Sequence, residues 1–375
     1  GSSVKGKYSY QVFDFSVKMS SKRLFGFMWA GIGLDYSLGD FSRLQDPRSR
    51  TQEIRYSITP GVAFRLGNVR YGYSKEKIGS YVSKSKDSKE YLLYLQEGFG
   101  VYSTHVSNDY ERRIESWYYG VALQYGHSFC GNSALLAEVS PYYRSDLVTD
   151  AYMATPGNYK EAGAELSMEV NIGNWIANSA LRITSGSAQK ISQKAVTVSD
   201  PSSGVVSTRY ETIFSIKSYI LQSLKGEVGL SYMAMGDEIT DFGKWNVGCK
   251  LNFGGREEEY IYYSPSSSFR CVNVFPSVHG GGTLFDRNGH RLALNGELAY
   301  RINVADSFSI SDELKNNVAL DNVVKPDHEI MTSDHMRTSA DLLYVFPLSI
   351  RQIRKRLSGF VTLSANMSLA SGFHG

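Results

Sequence analysis

From Ile54 to Tyr73 the chain reads IRYSITPGVAFRLGNVRYGY, and every second residue of its first part is apolar or aromatic: Ile54, Tyr56, Ile58, Pro60, Val62, Phe64 and Leu66. Between them lie Arg55, Ser57, Thr59, Gly61, Ala63 and Arg65, which are charged, polar or small. Successive side chains of a strand point to opposite faces, so the run makes one oily face and one wet face. Gly67-Asn68 supplies a tight turn, and Val69, Tyr71 and Tyr73 begin the return strand. A soluble sandwich alternates too, but its strands are usually shorter and its wet face looks outward. Here the period holds for about a dozen residues, more than the roughly 9–11 that a tilted transmembrane strand needs. The pattern predicts a hairpin unit that repeats until its sheet closes in a membrane, with Ile54, Tyr56, Ile58, Val62, Phe64 and Leu66 facing lipid.

Composition agrees. Among 375 residues, 26 Tyr and 35 Gly stand against only 9 Pro, an excess that suits aromatic girdles and small lumen-facing positions. No stretch of about 18 uncharged apolar residues exists, so no transmembrane helix is expected, which leaves a barrel open. The net charge of +3 gives no reason to expect nucleic acid. Cys130, Cys249 and Cys271 are odd in number and lack metal spacing; they read as buried small side chains. Gly1-Ser2-Ser3 reads as a cloning remnant, and residues 4–375 as a single barrel domain.

The alternation recurs along the chain. Leu24, Met28, Ala30, Ile32, Leu34 and Tyr36 share one face of a strand whose other face holds Phe25, Phe27, Trp29, Gly31, Gly33 and Asp35, which fits an interior that narrows or holds a plug. Trp117, Tyr119, Val121, Leu123 and Tyr125 oppose Ser116, Gly120, Ala122, Gln124 and Gly126. Tyr91–His105 reads as a strand pair protruding from a rim. Gly173-Asn174 and Ser223–Gly226 read as short turns; Thr149–Asn158, Ser192–Gly204 and Gly236–Gly243 read as longer loops on the opposite side. Trp245–Phe253 is expected to end at Gly254-Gly255, and Gly280–Gly282 to break a strand. Ala305–Met336 is the longest stretch without alternation, with Ser311 placed to cap a short helix. Short turns at one end and long loops at the other characterise outer-membrane barrels, the short turns being periplasmic. The expected fold is an all-β, transmembrane, antiparallel up-and-down barrel of roughly 14–18 strands. In that orientation the first strand runs toward the periplasm and the last runs outward. Either a terminal strand is missing at each end or the count is off by one near Tyr91.

Asp46-Pro47-Arg48, then ITPGVAFRL and RYGYSKEKI, together with ERRIESWYYGVALQYGHSF at Glu111–Phe129, resemble a family of Bacteroidota outer-membrane β-barrels of unknown function, over about a third of the chain. The resemblance implies a barrel in the bacterial outer membrane, in contact with the bilayer and lipopolysaccharide, and no catalytic residues. Gly372-Phe373-His374-Gly375 departs from the terminal aromatic signal such barrels present for insertion.

Three function classes follow. As a pore, the barrel would line its lumen with Asp35, Arg55, Arg65, Glu138, Glu165 and Arg182, charges that either tune passage or pair across a filled interior. As a scaffold, it would hold a lipoprotein or transporter partner through Tyr91–His105 and Ala305–Met336. As an enzyme, the one candidate cluster is Asp327, His328, Glu329, Asp334 and His335, two Asp-His dipeptides in one loop, where an Asp could orient a His or the group could bind a cation. Adjacent Asp-His is not a motif by itself, and a solvated loop explains it as well. The expectation is a passive pore or the barrel component of an uptake or secretion assembly, with no cofactor and no chemistry of its own.

Overall fold

The computed structural model describes residues 8–43, 50–66, 69–74, 79–86, 91–97, 101–107, 111–129, 133–150, 154–199, 206–234, 245–287, 290–315, 320, 324–348 and 357–370. Its strands are β1 (Tyr8–Ser20), β2 (Met28–Arg43), β3 (Arg50–Leu66), β4 (Val69–Ser74), β5 (Gly79–Lys86), β6 (Tyr91–Glu97), β7 (Val101–Ser107), β8 (Glu111–Gly120) and β9 (Ala122–Ser128). They continue with β10 (Ala134–Asp150), β11 (Gly157–Ile172), β12 (Trp175–Ser199), β13 (Val206–Ala234), β14 (Trp245–Tyr260), β15 (Ser267–Arg287) and β16 (His290–Ser309). Two short helices, α1 (Asp312–Lys315) and α2 (Lys325–Thr332), precede β17 (His335–Leu348) and β18 (Leu357–Ala370).

Sixteen strands form one antiparallel sheet in chain order, the up-and-down arrangement of a transmembrane barrel. Strands β4 and β5 pair with successive stretches of β3, and β9 and β8 with successive stretches of β10. Two positions thus hold two strands each, so the sixteen fill 16 − 2 = 14 places around the sheet. Among the described residues no ladder joins β1 to β18, and the seam is open. Strands β6 and β7 form a separate two-stranded sheet, where the sequence suggested a protruding pair.

The oily face is clearest on β12–β14. Trp175, Ile183, Val228, Leu224, Trp245, Val247 and Leu251 are all exposed and share one side with the half-buried Tyr232. On β12 the band runs from Trp175 to Ile183 and gives way to Ser185; on β13 it runs from Tyr232 to Leu224 and gives way to Gln222. Each band covers nine residues, the span a tilted strand needs to cross hydrocarbon. At the short-turn end Tyr232 packs between Trp175 and Trp245, with ring centroids 5.0 and 5.8 Å away, a girdle at the interface. Ile54, Tyr56 and Ile58 are exposed on the matching face of β3, beside Leu38, Tyr36 and Leu34 of β2; Val62 and Phe64 share that face and are half-buried. The side chains of Leu66 and Arg65 lie outside the described residues.

Several local expectations need correction. Ser223–Gly226 is no turn: β13 runs straight through it, because Ser223 and Lys225 face inward while Gly226 lies under the ring of Phe253. The connection at 235–244 therefore joins strands at the short-turn end. Gly254-Gly255 lies inside β14 and Gly280–Gly282 inside β15, where cross-strand hydrogen bonds continue past them. Leu24–Phe27 is a turn rather than strand, closed by Met28 N–H donating to the Leu24 carbonyl. Strand β12 continues to Ser199, well into the supposed loop at Ser192–Gly204. Cys271 is buried, but Cys249 is exposed on the oily face between Val247 and Leu251; Cys130 lies outside the described residues.

Candidate functional site

The wet face is a knitted surface. At its centre Tyr142 of β10 reaches across β11 to β12. Its hydroxyl donates to Glu161 Oε1 at 2.9 Å, so the 2.8 Å contact with Thr184 Oγ1 has the threonine as donor. Arg182 donates to the same oxygen from Nε and Nη2, at 3.2 and 3.0 Å, and its guanidinium stacks over the Tyr142 ring. Room for this ring comes from Gly163, where a Cβ would lie 2.5 Å from the Ile183 carbonyl and 2.7 Å from Tyr142 itself. Arg182 also pairs with Glu165 at 3.0 Å, directly opposite in the β11–β12 ladder. Glu138 accepts from Gln124 and Ser140, each at 2.6 Å. Asp35 accepts from Ser16 at 2.6 Å and Ser57 at 3.2 Å, and Arg55 pairs with Glu53 at 2.5 Å. These candidates therefore share the wet face but spread across it, and hold local partners.

Toward the long-loop end the wet face turns apolar. Tyr159, Ala188, Tyr219, Leu221, Tyr260 and Phe269 are buried there, and Leu320 and Val324, from the connection between β16 and β17, pack on them. Four apolar or aromatic side chains in that connection and its flanks, Phe308, Ile310, Leu320 and Val324, have found cover on the sheet's inner side rather than in solvent. Polar contacts hold the segment at Ser311 and at Ile330–Asp334. The Ser311 N–H donates to Ser267 Oγ at 2.9 Å, and Asn273 Nδ2 donates to the Met331 carbonyl at 3.1 Å. Arg301 donates to the carbonyls of Ile330 and Ser333 and to Ser333 Oγ, the last at 2.8 Å. The Asn303 N–H donates to Asp334 Oδ1 at 2.8 Å. Beside the segment a recess of about 350 Å³ is lined by Asn252, Phe275, Glu297, Arg301, His335 and Arg337.

The Asp-His residues are dispersed by this docking. His328, on α2, lies 4.6 Å from the Phe308 ring, with Nε2 3.7 Å from Asp306 Oδ2. Asp334 holds the Asn303 amide, and His335 faces the recess. Asp327 and Glu329 are exposed on α2, where partial burial raises the Asp327 carboxyl above the usual carboxylate range. Among the described residues no three His, Cys, Asp or Glu side chains converge as a metal site. Sequence reading missed the aromatic cluster. Its signal was present: near the long-loop ends of β14 and β15, apolar residues such as Tyr260, Phe269 and Cys271 appear on the face that is polar elsewhere.

Solved structures of similar architecture include a copper transporter, OprC, at 8% identity and a TM-score of 0.37, covering 98% of this chain and 62% of that one. The ferric citrate transporter FecA matches at 9% and 0.33, covering 96% and 70%, and the monoaromatic hydrocarbon channel TodX at 9% and 0.34, covering 96% and 90%. The chain thus spans less than two thirds of the length of the copper transporter. No curated protein matches the sequence. A family model does, over residues 1–374, and on that match the chain belongs to the Family of unknown function (DUF6850).

Proposed function

We propose that the protein is a bacterial outer-membrane barrel that acts as a passive pore, or as the barrel component of a nutrient-uptake or secretion assembly, with the segment between β16 and β17 narrowing its lumen. Its membrane contacts would be the bilayer and lipopolysaccharide, and its source a member of the Bacteroidota, as the resemblance at Asp46–Arg48 and Glu111–Phe129 implies. No chemistry and no cofactor are assigned to it. The supporting observation is the docked segment: an apolar anchor at Leu320 and Val324 and a polar anchor at Arg301 hold it against the wet face, where a solute would pass. The outward bands of β12 and β13, each the depth of the hydrocarbon layer, support the membrane location.

Planar-bilayer recording tests the reading. The parent should give small, steady steps, and Arg301→Ala, which frees the segment's polar anchor, should give larger or flickering ones. Silence in both proteins sinks the pore. The alternative is a plugged scaffold, favoured by the completeness of the apolar cover. It predicts silence together with a stoichiometric companion on purification in mild detergent. The remaining alternative, a hydrolase at the Asp-His loop, would use His328, whose Nε2 lies 3.7 Å from Asp306, and predicts a lipase or protease signal that His328→Ala abolishes.

A further inference from the structure

We propose that the upper part of the β12–β13 hairpin is a self-association arm, which pairs edge to edge with the same arm of a second copy of this chain. The β11–β12 ladder ends at Gly157↔Lys190, and the β13–β14 ladder ends at Ile220↔Glu259. One backbone hydrogen bond extends each ladder, from Ile191 N–H to the Pro156 carbonyl and from Ile261 N–H to the Ser218 carbonyl; beyond these, among the described residues, β12 and β13 form a ladder with each other alone, out to Ser199↔Val206. The stretch of β13 from Val206 to Lys217 is thus an open strand edge of 12 residues, about 40 Å long at 3.4 Å per residue. A two-stranded ribbon is marginal in water, and its bare edge is a template for another strand. Ile213 and Phe214, 62% and 54% exposed, lie along the same stretch.

Charge identifies the occupant. The edge carries Thr208-Arg209-Tyr210-Glu211-Thr212. Set antiparallel to itself about Tyr210, this stretch puts Arg209 of each copy opposite Glu211 of the other, and Thr208 opposite Thr212. Opposite charges directly across a ladder stabilise it and like charges destabilise it, so this register is selected over its neighbours. The two charges are also unusual in this chain. Elsewhere an arginine two residues from a carboxylate closes on it: Arg55 on Glu53, Arg113 on Glu115, Arg144 on Asp146 and Arg256 on Glu258. Arg209 and Glu211 have the same spacing, both are exposed, and no ion pair joins them among the described residues. Lys194 sits across the ribbon from Glu211 and competes for it, again with no ion pair formed. Two copies in one membrane can meet this way only if the arms lean along the membrane plane. Two register shifts at the arm's base, between Ala188 and Gln189 and between Ser192 and Gln193, supply the bend. The result is a closed, two-fold contact.

The test is light scattering of the purified full chain in mild detergent, with heat-shifted gel mobility confirming that each variant is folded. The parent should show twice the protomer mass. Arg209→Glu, and separately Glu211→Arg, should each halve it, because each sets like charges face to face. An equimolar mixture of the two variants should recover the doubled mass, and so should the double exchange in one chain. A parent that stays at one protomer mass, or an Arg209→Glu variant that keeps the doubled mass, overturns the proposal. A doubled mass lost in both single variants but not recovered by mixing overturns the register.

Discussion

Strands β1–β3 and β11–β16 carry similar outward faces and unlike inward ones. Outside, Phe15, Leu34 and Ile58 at one place and Leu166, Val228 and Leu298 at the other are all exposed apolar side chains suited to lipid. Inside, β1–β3 hold isolated contacts, such as Ser16 and Ser57 on Asp35, around a shallow recess beside Gly31 and Gly33. The inner side of β11–β16 has aromatic rings over glycines, a run of linked charges and a docked chain segment. A lipid-facing surface needs only to be apolar, so it varies little around the sheet. The inner face is less uniform: it leaves a recess along β2 and β3 and is covered along β11–β16.

The sharpest way to break that contrast is to empty the filled side. Phe269 is 4% exposed and touches Tyr260 and Phe308, with ring centroids at 4.9 and 4.7 Å. Phe269→Ala should cost about 3–5 kcal/mol of stability, the usual range for deleting a buried ring. In urea the variant should lose its heat-shifted gel mobility at markedly lower denaturant, and its 310–334 segment should become open to added protease. Phe15→Ala, on the lipid side of β1, should do neither.

Arg301→Ala comes next. It removes charged donors from two backbone carbonyls and a hydroxyl while leaving the apolar anchor in place, a loss of about 1.5–3 kcal/mol per hydrogen bond to a charged group at most. Protease cleavage near Ser333 should rise without loss of the barrel. Gly163→Val follows at about 1–3 kcal/mol, the cost of overpacking. Its side chain would strike the Ile183 carbonyl and push Tyr142 off Glu161 and Thr184. Gly33→Val is the matched control on the open side, since its Cβ would meet Thr59 at an ordinary 3.6 Å; a loss of stability equal to that of Gly163→Val would erase the contrast.

What the sequence disclosed follows the same division. Alternation at Ile54–Phe64 and Trp117–Tyr125 marks one side of the sheet, on which Ile54, Ile58, Trp117 and Leu123 are exposed, because a strand's side chains follow a strict period of two. Glycine pairs misled. Gly226 and Gly254-Gly255 read as turns from composition, yet they sit within strands; a small residue there makes room across the sheet, as Gly226 does for Phe253. The candidate charges Asp35, Arg55, Glu138, Glu165 and Arg182 fall on the wet face, as parity alone dictates. Which of them cluster was not legible, since that depends on register between strands far apart in sequence. The docking of Leu320 and Val324 was hidden for the same reason: a loop's apolar residues look alike whether they cover a lumen or face solvent.

The smallest expected effect concerns those charges. Arg182 and Glu165 are each close to half-exposed, at 45% and 44%, and Arg55 with Glu53 at 62% and 28%. Water screens both pairs, so each ion pair by itself should contribute no more than about 1 kcal/mol to stability. Their effect on passage is a separate matter, because a fixed lumen charge acts on ions in transit, whatever it adds to folding. Arg182→Glu places a second carboxylate opposite Glu165 on the crowded side of the wet face and should move the reversal potential of the pore toward cation selectivity. Arg55→Glu, on the open side, should move it less, since the wider water there screens the charge. Equal shifts from the two variants would mean that the passage is as wide beside β11 and β12 as beside β3, and that the docked segment does not direct the route.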